Sequence, residues 1–468
     1  MRAFNLLDVT ESGKKVASLA SRADAEWVAG SLSYNAGMKT IAIIGGGAAG
    51  LAAAVATARA ARGANVVVFE ADERVGRSIL ATGNGRCNFS NAQVDAGVYR
   101  NAEFVQAAFD ELSRQMYTGE RAAESRGVTA EYTAVSCVDD ERARSPRVVG
   151  DPVHAFFAEL GLMWRGESEG RLYPLANKAS SVLDVLRAAL VRGGVQLACE
   201  RRVTHVDAPD HVGGRYHLRF ADDSVEHAHA VIVATGGHTA RELVPGHLAF
   251  VEPQPVLGPL RTDTTLVKPL NNIRVRCTAT LVAPDGTPRA SEAGEVLFRD
   301  YGVSGIAIFN LSRFTETGDT LSLDLLPQLD EAACEAELQA RLNRLGAPTG
   351  EELFTGILLP AVARAVLKQA GLRTETTLVA CDVPALVHAL KAFTLTVHGI
   401  GDARQCQVSR GGFAVEAFNP HTMEAYDLPG LHVVGEALDV DAPCGGYNLH
   451  WAWTSGLIAG GHAAEILQ

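Results

Sequence analysis

The 468-residue sequence predicts an α/β protein of Rossmann type, laid down in two separated stretches with an insert of short strands and helices between them. Three observations predict it. An apolar run, Thr40–Ile44, leads through a glycine cluster into an alanine-rich stretch, and a second apolar run, Asn65–Glu70, follows closely, which is the layout of a βαβ unit. Near Glu252–Pro255 the texture changes to short β-like runs with turn signals, then to helix-like segments. Strand-and-turn texture returns after Thr394 and leads into a final helix.

Each element follows from local pattern. Thr40–Ile44 is apolar on both faces, as a central parallel strand must be. A helix is expected over 48–61, where alanines allow close packing on a sheet. A second strand covers 65–70. Residues 102–116 read as an amphipathic helix with Gly119 as its stop, and the helix within 173–194 takes Ser180 or Ser181 as N-cap and Gly193 as its end. Strands are expected at 195–197, 203–206, 216–220 and 230–233. Beyond Pro284-Asp285-Gly286, a turn, helices are expected over 330–345 and 351–372, and a last one over 448–467. The first 37 residues lack a continuous apolar core and read as a disordered extension, with Met38 directly before the first strand.

Composition narrows the function classes. Forty-two Lys and Arg against 54 Asp and Glu give a formal charge of −12, with no basic run of the kind a nucleic-acid binder carries. The most apolar window, 41–58, is broken by Gly45, Gly46, Gly47 and Gly50, so it is a buried strand and helix and not a membrane span. Eight cysteines are scattered without a CxxC pair, which argues against a disulfide framework and a zinc site. These features lead us to expect a cytoplasmic protein with a small-molecule substrate, no nucleic acid, no membrane and no metal.

The chemistry resides in glycine-rich turns. In GGGAAG, Gly45 permits a tight turn, Gly47 lets the backbone approach a pyrophosphate, and Gly50 allows helix and strand to touch. The helix that opens at Ala48 and Ala49 points its N-terminal N–H groups at the phosphates. Glu70, about 20 residues past Gly50, ends the second strand where an acid accepts hydrogen bonds from a ribose. A second glycine-rich loop, Thr82-Gly83-Asn84-Gly85, follows, with Arg77 and Arg86 as candidate partners for phosphate or substrate charge. The turn at Thr235-Gly236 ends the strand 230–233, and Gly435-Glu436 ends another at 431–434. Asp439 and Asp441 then precede Cys444-Gly445-Gly446-Tyr447-Asn448, which opens the last helix. That helix N-terminus has the polarity to stabilise negative charge on a reduced flavin, so the dinucleotide expected is FAD.

Three stretches, TGNGRCN after the ribose acid, GEVLF with GVSG in the insert, and GEALDVDAPCGGYNLHWAWTSG near the end, resemble the BaiN/YhiN-like flavoproteins, also labelled NAD(P)/FAD-dependent or aminoacetone oxidase family enzymes. The resemblance runs from about Met38 to the C-terminus. It implies an FAD domain in two parts, 38–255 and 394–468, split by a β-barrel-like insert at 256–328 and a small helical subdomain at 329–393. It further implies that Gly45, Gly47, Gly50, Glu70, Arg77, Gly83, Asn84, Gly85, Glu436, Asp439, Gly446 and Asn448 line FAD, and from their places in the same strands and turns Ala48, Ala49, Ala71, Thr82, Val203, Thr235, Gly236, Gly435, Gly445 and Tyr447 are expected beside it. Asp300 and Ile306 stand where relatives commonly have His and Pro, so any substrate role of that His does not carry over.

The implied activity is FAD-dependent oxidoreduction with non-covalent flavin and hydride transfer at N5, of the enone-reducing or amine-oxidising type. No second glycine fingerprint marks a nicotinamide domain, so NAD(P)H, where used, docks transiently. The rival reading is a flavin-bound redox sensor or partner-binding protein without turnover. For catalysis the candidates are His398 and Tyr301 as proton donors and Arg404 as a carboxylate anchor, with Arg410 and Tyr447 as further choices. Cys87 and Cys444 flank the presumed flavin loops and are weighed as a redox pair against buried structural thiols. Trp451 and Trp453 read as core.

Overall fold

The computed structural model describes residues 37–61, 63–124, 150–211, 213–244 and 247–466. All but the last residue of the expected N-terminal extension, and Cys137, lie outside them. The described chain divides into two units, one of residues up to Pro253 and from Arg410 onwards, the other Gln254–Ser409.

In the first unit β1 (Thr40–Ile44), α1 (Ala48–Ala60) and β2 (Asn65–Phe69) form the expected βαβ unit, followed by α2 (Ala102–Glu124), α3 (Pro152–Glu159), β3 (Gln196–Ala198) and β4 (Ala230–Val233). After the second unit come β5 (Leu431–Val433) and α4 (Tyr447–Glu465). The five strands make one parallel sheet in the order β5-β4-β1-β2-β3. The order reverses direction at β1, and ligands of such sheets bind beyond the strand ends at that switch point. Every residue of β1, β2 and β4 is buried, which is why these strands are almost wholly apolar. Helix α2 runs past Gly119 to Glu124, so that glycine does not stop it. The helix expected within 173–194 spans Ala179–Arg192, with Lys178 and not a serine at the N-cap position.

Helices α1 and α4 pack against each other through small residues. A Cβ at Gly456 or Gly460 would collide with the carbonyl oxygens of Ala49 and Ala53, and Thr57 Oγ1 donates to the Gly460 carbonyl at 3.1 Å. Trp451 and Trp453 are core residues, as expected, and the Trp453 indole N–H donates to the Phe89 carbonyl.

The second unit has its own apolar core. Six strands close a barrel in the order Leu260–Thr262, Gly302–Ser304, Pro288–Arg299, Arg274–Val282, Thr320–Asp324, Phe393–Ile400. Alternation along the strands sends Cys277, Ala279 and Leu281, and Phe393, Leu395 and Val397, into the interior. The helices Glu331–Leu345, Gly350–Phe354, Pro360–Gln369 and Val383–Lys391 intervene between the last two strands. The expected helix 351–372 is thus two helices, the second starting on Pro360, whose ring fits a first turn and not a helix interior.

The return to the first unit falls at Arg410 and not at Thr394. The strand Phe393–Ile400 pairs with Thr320–Asp324 on one side and Leu260–Thr262 on the other, so the barrel cannot close without it. Residues 394–409 therefore belong with the insert.

Candidate cofactor site

At the switch point of the sheet the chain has been stripped of side chains. Gly45 takes φ of +103° and donates its N–H to Phe69 at 2.8 Å, and a Cβ there would lie 2.5 Å from the Ala234 carbonyl oxygen. A Cβ on Gly50 would land on the Gly45 carbonyl oxygen. Gly47 differs: it has ordinary φ of −81°, and a Cβ would meet only Ser78 Oγ, at 3.2 Å. That contact is tight, but it is with the end of a side chain and not with backbone. The first intrahelical bond of α1 runs from Leu51 N–H to the Gly47 carbonyl at 3.0 Å, so the N–H groups of Ala48, Ala49 and Gly50 have no acceptor in the helix.

Glu70 closes this turn. Its Oε2 accepts the Gly46 N–H at 2.8 Å and its Oε1 accepts the Asp72 N–H at 2.9 Å. Each carboxylate oxygen keeps capacity for a further donor such as a ribose hydroxyl. Ala71 follows directly and is half-buried.

In the second loop Gly83, Asn84 and Gly85 all adopt left-handed backbone, with φ of 55°, 54° and 79°. Thr82 Oγ1 donates to Ile79 at 2.7 Å and anchors the start of this loop. Arg77 pairs with Asp72 at 2.8 Å, while Arg86 pairs with Glu167, bonds Asn177 and stacks on the Tyr173 ring at 4.0 Å. Burial pushes the Cys87 thiol up to about 12, so it stays protonated at neutral pH and cannot serve as a thiolate. Val203 opens a buried strand position, and Gly236 takes φ of +75°. Thr235 Oγ1 is buried and has no hydrogen-bond partner.

The C-terminal loop is held by side chains. Asp439 is buried; Arg100 Nε reaches its two oxygens at 2.8 and 2.9 Å, and the Gly411 N–H donates to it at 3.0 Å. Asp441 receives Arg410 in the same way, Nε to Oδ1 at 2.9 Å and a terminal nitrogen to Oδ2 at 3.3 Å. Asn448 accepts from the Ala442 N–H at 2.9 Å and donates back to the Ala442 carbonyl at 2.8 Å. The side chains of Asp439, Asn448 and Arg410 are thus committed to the loop. Gly435 donates to Ser455 Oγ at 2.9 Å and accepts from the Trp451 indole, which fixes the position of Glu436 next to it. Gly445 and Gly446 have φ of +142° and +97°, and a Cβ on Gly446 would overlap the Ser90 carbonyl. They turn the chain into α4, whose first N–H groups, from Tyr447 on, have no acceptor within the helix. Burial raises the Tyr447 phenol above its usual range and keeps it protonated.

Tyr301, His398 and Arg404 are all in the second unit. Tyr301 is half-buried in the turn before Gly302–Ser304, and His398 is exposed on the closing strand. Arg404 is highly exposed and forms a two-pronged pair with Asp402.

The turns of the first unit fit a flavin dinucleotide: bare backbone at Gly47, helix N-termini whose first N–H groups have no acceptor in the helix, an acid at the end of β2, and the unpartnered Thr235 hydroxyl in the turn after β4. Fold and site define an FAD-dependent flavoprotein oxidoreductase. The chain belongs to the family described as HI0933-like protein Rossmann domain, whose model matches residues 39–132 and 150–462. It is 29% identical over 446 residues to a 3-dehydro-bile acid delta(4,6)-reductase of Clostridium scindens, covering 92% of this chain and 100% of that one. It is 27% identical to a ribosomal RNA dihydrouridine synthase of Escherichia coli over 432 residues, 88% of this chain and 95% of that one. Among solved structures, a 3-ketosteroid-Δ4-(5α)-dehydrogenase of Rhodococcus jostii superposes with a TM-score of 0.42 at 15% identity, over 91% of this chain and 97% of its own.

Proposed function

We propose that the protein reduces a carbon–carbon double bond conjugated to a carbonyl in a small organic molecule, with a nicotinamide nucleotide docking transiently as electron donor. The observation that carries this reading is chemical. The two relatives named above cover nearly the whole chain, and the names of both denote reduction of a C=C bond conjugated to C=O, in a dienone and in a uracil ring. Held non-covalently by the turns of the first unit, FAD would supply hydride chemistry.

The residues of the first unit have the remaining tasks. The N–H groups at the start of α1 bind the pyrophosphate, Glu70 takes the ribose hydroxyls, and Thr235 gives its unspent hydroxyl to the cofactor. The loops Thr82–Gly85 and Gly445–Asn448 fix the rings with backbone donors, the latter with the positive end of a 19-residue helix. Reduction also needs a proton at the α-carbon, and Tyr301 and His398 are the groups of the second unit suited to give it. Arg404, already matched by Asp402, is the weakest anchor for a substrate carboxylate.

Anaerobic stopped-flow mixing with NADH and NADPH, then with cyclic enones, steroid dienones, primary amines and a uridine-containing RNA, tests the reading. Flavin bleaching by a nicotinamide followed by reoxidation with an enone, and a product two mass units heavier, is the expected result. Reoxidation by the RNA alone overturns the substrate class, and bleaching by amines alone overturns the direction. A flavin that no donor reduces makes the protein a sensor or binding module.

A further inference from the structure

Beneath the last helix lies a second polar site that the flavin reading does not use. A cavity of about 330 Å³ in the first unit is lined by residues of α2, the start of α3 and α4, among them Asp110, Asp151, His450 and Thr454. None of the residues assigned to FAD lines it. Two of the lining residues, Asp151 and His450, meet a third side chain, His154. His450 Nε2 is 3.5 Å from Asp151 Oδ2, and His154 Nδ1 is 3.8 Å from Asp151 Oδ1. The donor atoms of the three residues all lie within 4.8 Å of one another.

The far side of each ring is fixed by one hydroxyl. Ser90 Oγ is 2.7 Å from His154 Nε2 and 2.9 Å from His450 Nδ1. A serine oxygen can accept both ring N–H groups while its own proton goes to the Asn91 carbonyl, 3.4 Å away. Both imidazoles then turn lone pairs, and not N–H groups, towards Asp151. Orientation of a ligating histidine through its other nitrogen is the arrangement metal sites use. A second, independent observation points to a ligand here. Thr454, one turn beyond His450 on the same helix, lines the same cavity, is fully buried, and its Oγ1 has no hydrogen-bond partner.

We propose that Asp151, His154 and His450 hold one divalent transition-metal ion, zinc by the donor set, with the fourth position open to the cavity and a water there held by Thr454. Two neutral imidazoles and one carboxylate with an open position are the ligand set of open zinc sites, and of some ferrous ones. The two Asp151–histidine separations, 3.5 and 3.8 Å, suit metal–ligand bonds of about 2.0–2.2 Å in a tetrahedron, and the three ligand atoms all lie within 4.8 Å of one another. The other His/carboxylate cluster among the described residues, Glu424–His432–His462, is a poorer host. There one histidine bonds directly to the other at 3.0 Å and occupies a lone pair that a metal would need.

The FAD-loaded protein, stripped with a chelator and dialysed against Zn²⁺, Fe²⁺ or Ca²⁺ alone, tests the proposal by metal analysis. One equivalent of Zn²⁺ or Fe²⁺ and no Ca²⁺ are expected, and the relative affinities distinguish the two metals. Co²⁺ as a probe should give visible bands of a low-coordinate site at wavelengths beyond the flavin absorption. His450→Gln and Asp151→Asn should each weaken binding about 100-fold or more, and Ser90→Ala about 10-fold through loss of ring orientation. Asn is itself a good N-cap, so Asp151→Asn keeps the two α3 backbone contacts made by Asp151, and a retained flavin spectrum reports that the variant is folded. Absence of stoichiometric binding in the parent protein, or equal binding by the parent, His450→Gln and Asp151→Asn, overturns the proposal.

Discussion

The two loops that bracket the proposed flavin site, Gly45–Gly50 and Gly435–Asn448, reach similar ends by opposite means. The first is shaped by absence: a side chain on Gly45 or Gly50 would strike backbone, and one on Gly47 would press on the Ser78 hydroxyl. The second is shaped by side chains. Asp439, Asp441 and Asn448 tie it to Arg100, to Arg410 and to its own backbone. A loop made of omissions is encoded within six consecutive residues. A loop made of attachments depends on residues from 6 to 339 positions away, and it should respond more gradually to damage.

The largest effects should come from the first loop, and they should separate fold from ligand. Gly50→Val is expected to cost about 3 kcal/mol or more, because the added carbons displace backbone. It should yield insoluble or molten protein by circular dichroism. Gly47→Val presses on the Ser78 hydroxyl and not on backbone, so it should still fold in the stripped state, by circular dichroism, and purify colourless. If it purifies yellow, the space at Gly47 is not where the pyrophosphate lies.

Next in size are the pairs of the second loop. Arg410→Met leaves the fully buried Asp441 carboxylate without its guanidinium and should cost roughly 3 kcal/mol in urea unfolding. Arg100→Met should cost less, because the Arg100–Asp439 pair is the more exposed, with the Arg100 side chain 39% exposed against 20% for Arg410. Equal and negligible losses would show that glycines, and not attachments, hold both loops. Asn448→Ala removes the loop staple and should cost about 1–2 kcal/mol. It should also raise the FAD dissociation constant, measured by flavin fluorescence, without abolishing binding.

The most gradual effect is set by pH and extends the comparison to the strands behind the loops. The strand before the first loop, Thr40–Ile44, carries no titratable side chain, whereas β5, before the second, carries His432. Burial holds His432 down to about 3, with His462 and Glu424 beside it. Above pH 6.5 the ring is neutral in both folded and unfolded chains and contributes no pH dependence. As pH falls below 6.5 only the unfolded chain takes up the proton, so stability should fall by about 1.4 kcal/mol per pH unit towards the folded value. His432→Asn should remove that part of the slope between pH 6.5 and 5; an unaltered slope would assign the acid sensitivity to other groups.

Legibility followed the same division. GGGAAG and the acid at Glu70 could be read because their geometry is local: turn, helix start and strand end fall within one βαβ unit. The βαβ register and the final helix were legible for that reason too. The partners of Asp439 and Asp441 were not, since a charge pair between residues 100 and 439 leaves no periodic trace in the chain. Nor was the Ser90–His154–His450 cluster, whose members come from three distant segments. The domain return was placed too early because the closing barrel strand has the same short-strand texture as the segments after it. The helix Val383–Lys391 was hidden by Pro384, which breaks a helix interior but suits a first turn.

The embrace of α1 by α4 has a consequence for how the protein is made. Thr57 bonds Gly460, and Gly456 and Gly460 seat the last helix on the first. At ribosomal rates of about 5–20 residues per second, roughly 20–80 s separate synthesis of the two faces. During that interval the alanine face of α1 has no permanent cover, while the strands and helices of Gln254–Ser409 are already complete and free to close. The nascent glycine turn can meet a nucleotide early, but its floor arrives last. Emergence of the last helix, and not of the motif, is therefore the moment at which the flavin half becomes a finished object.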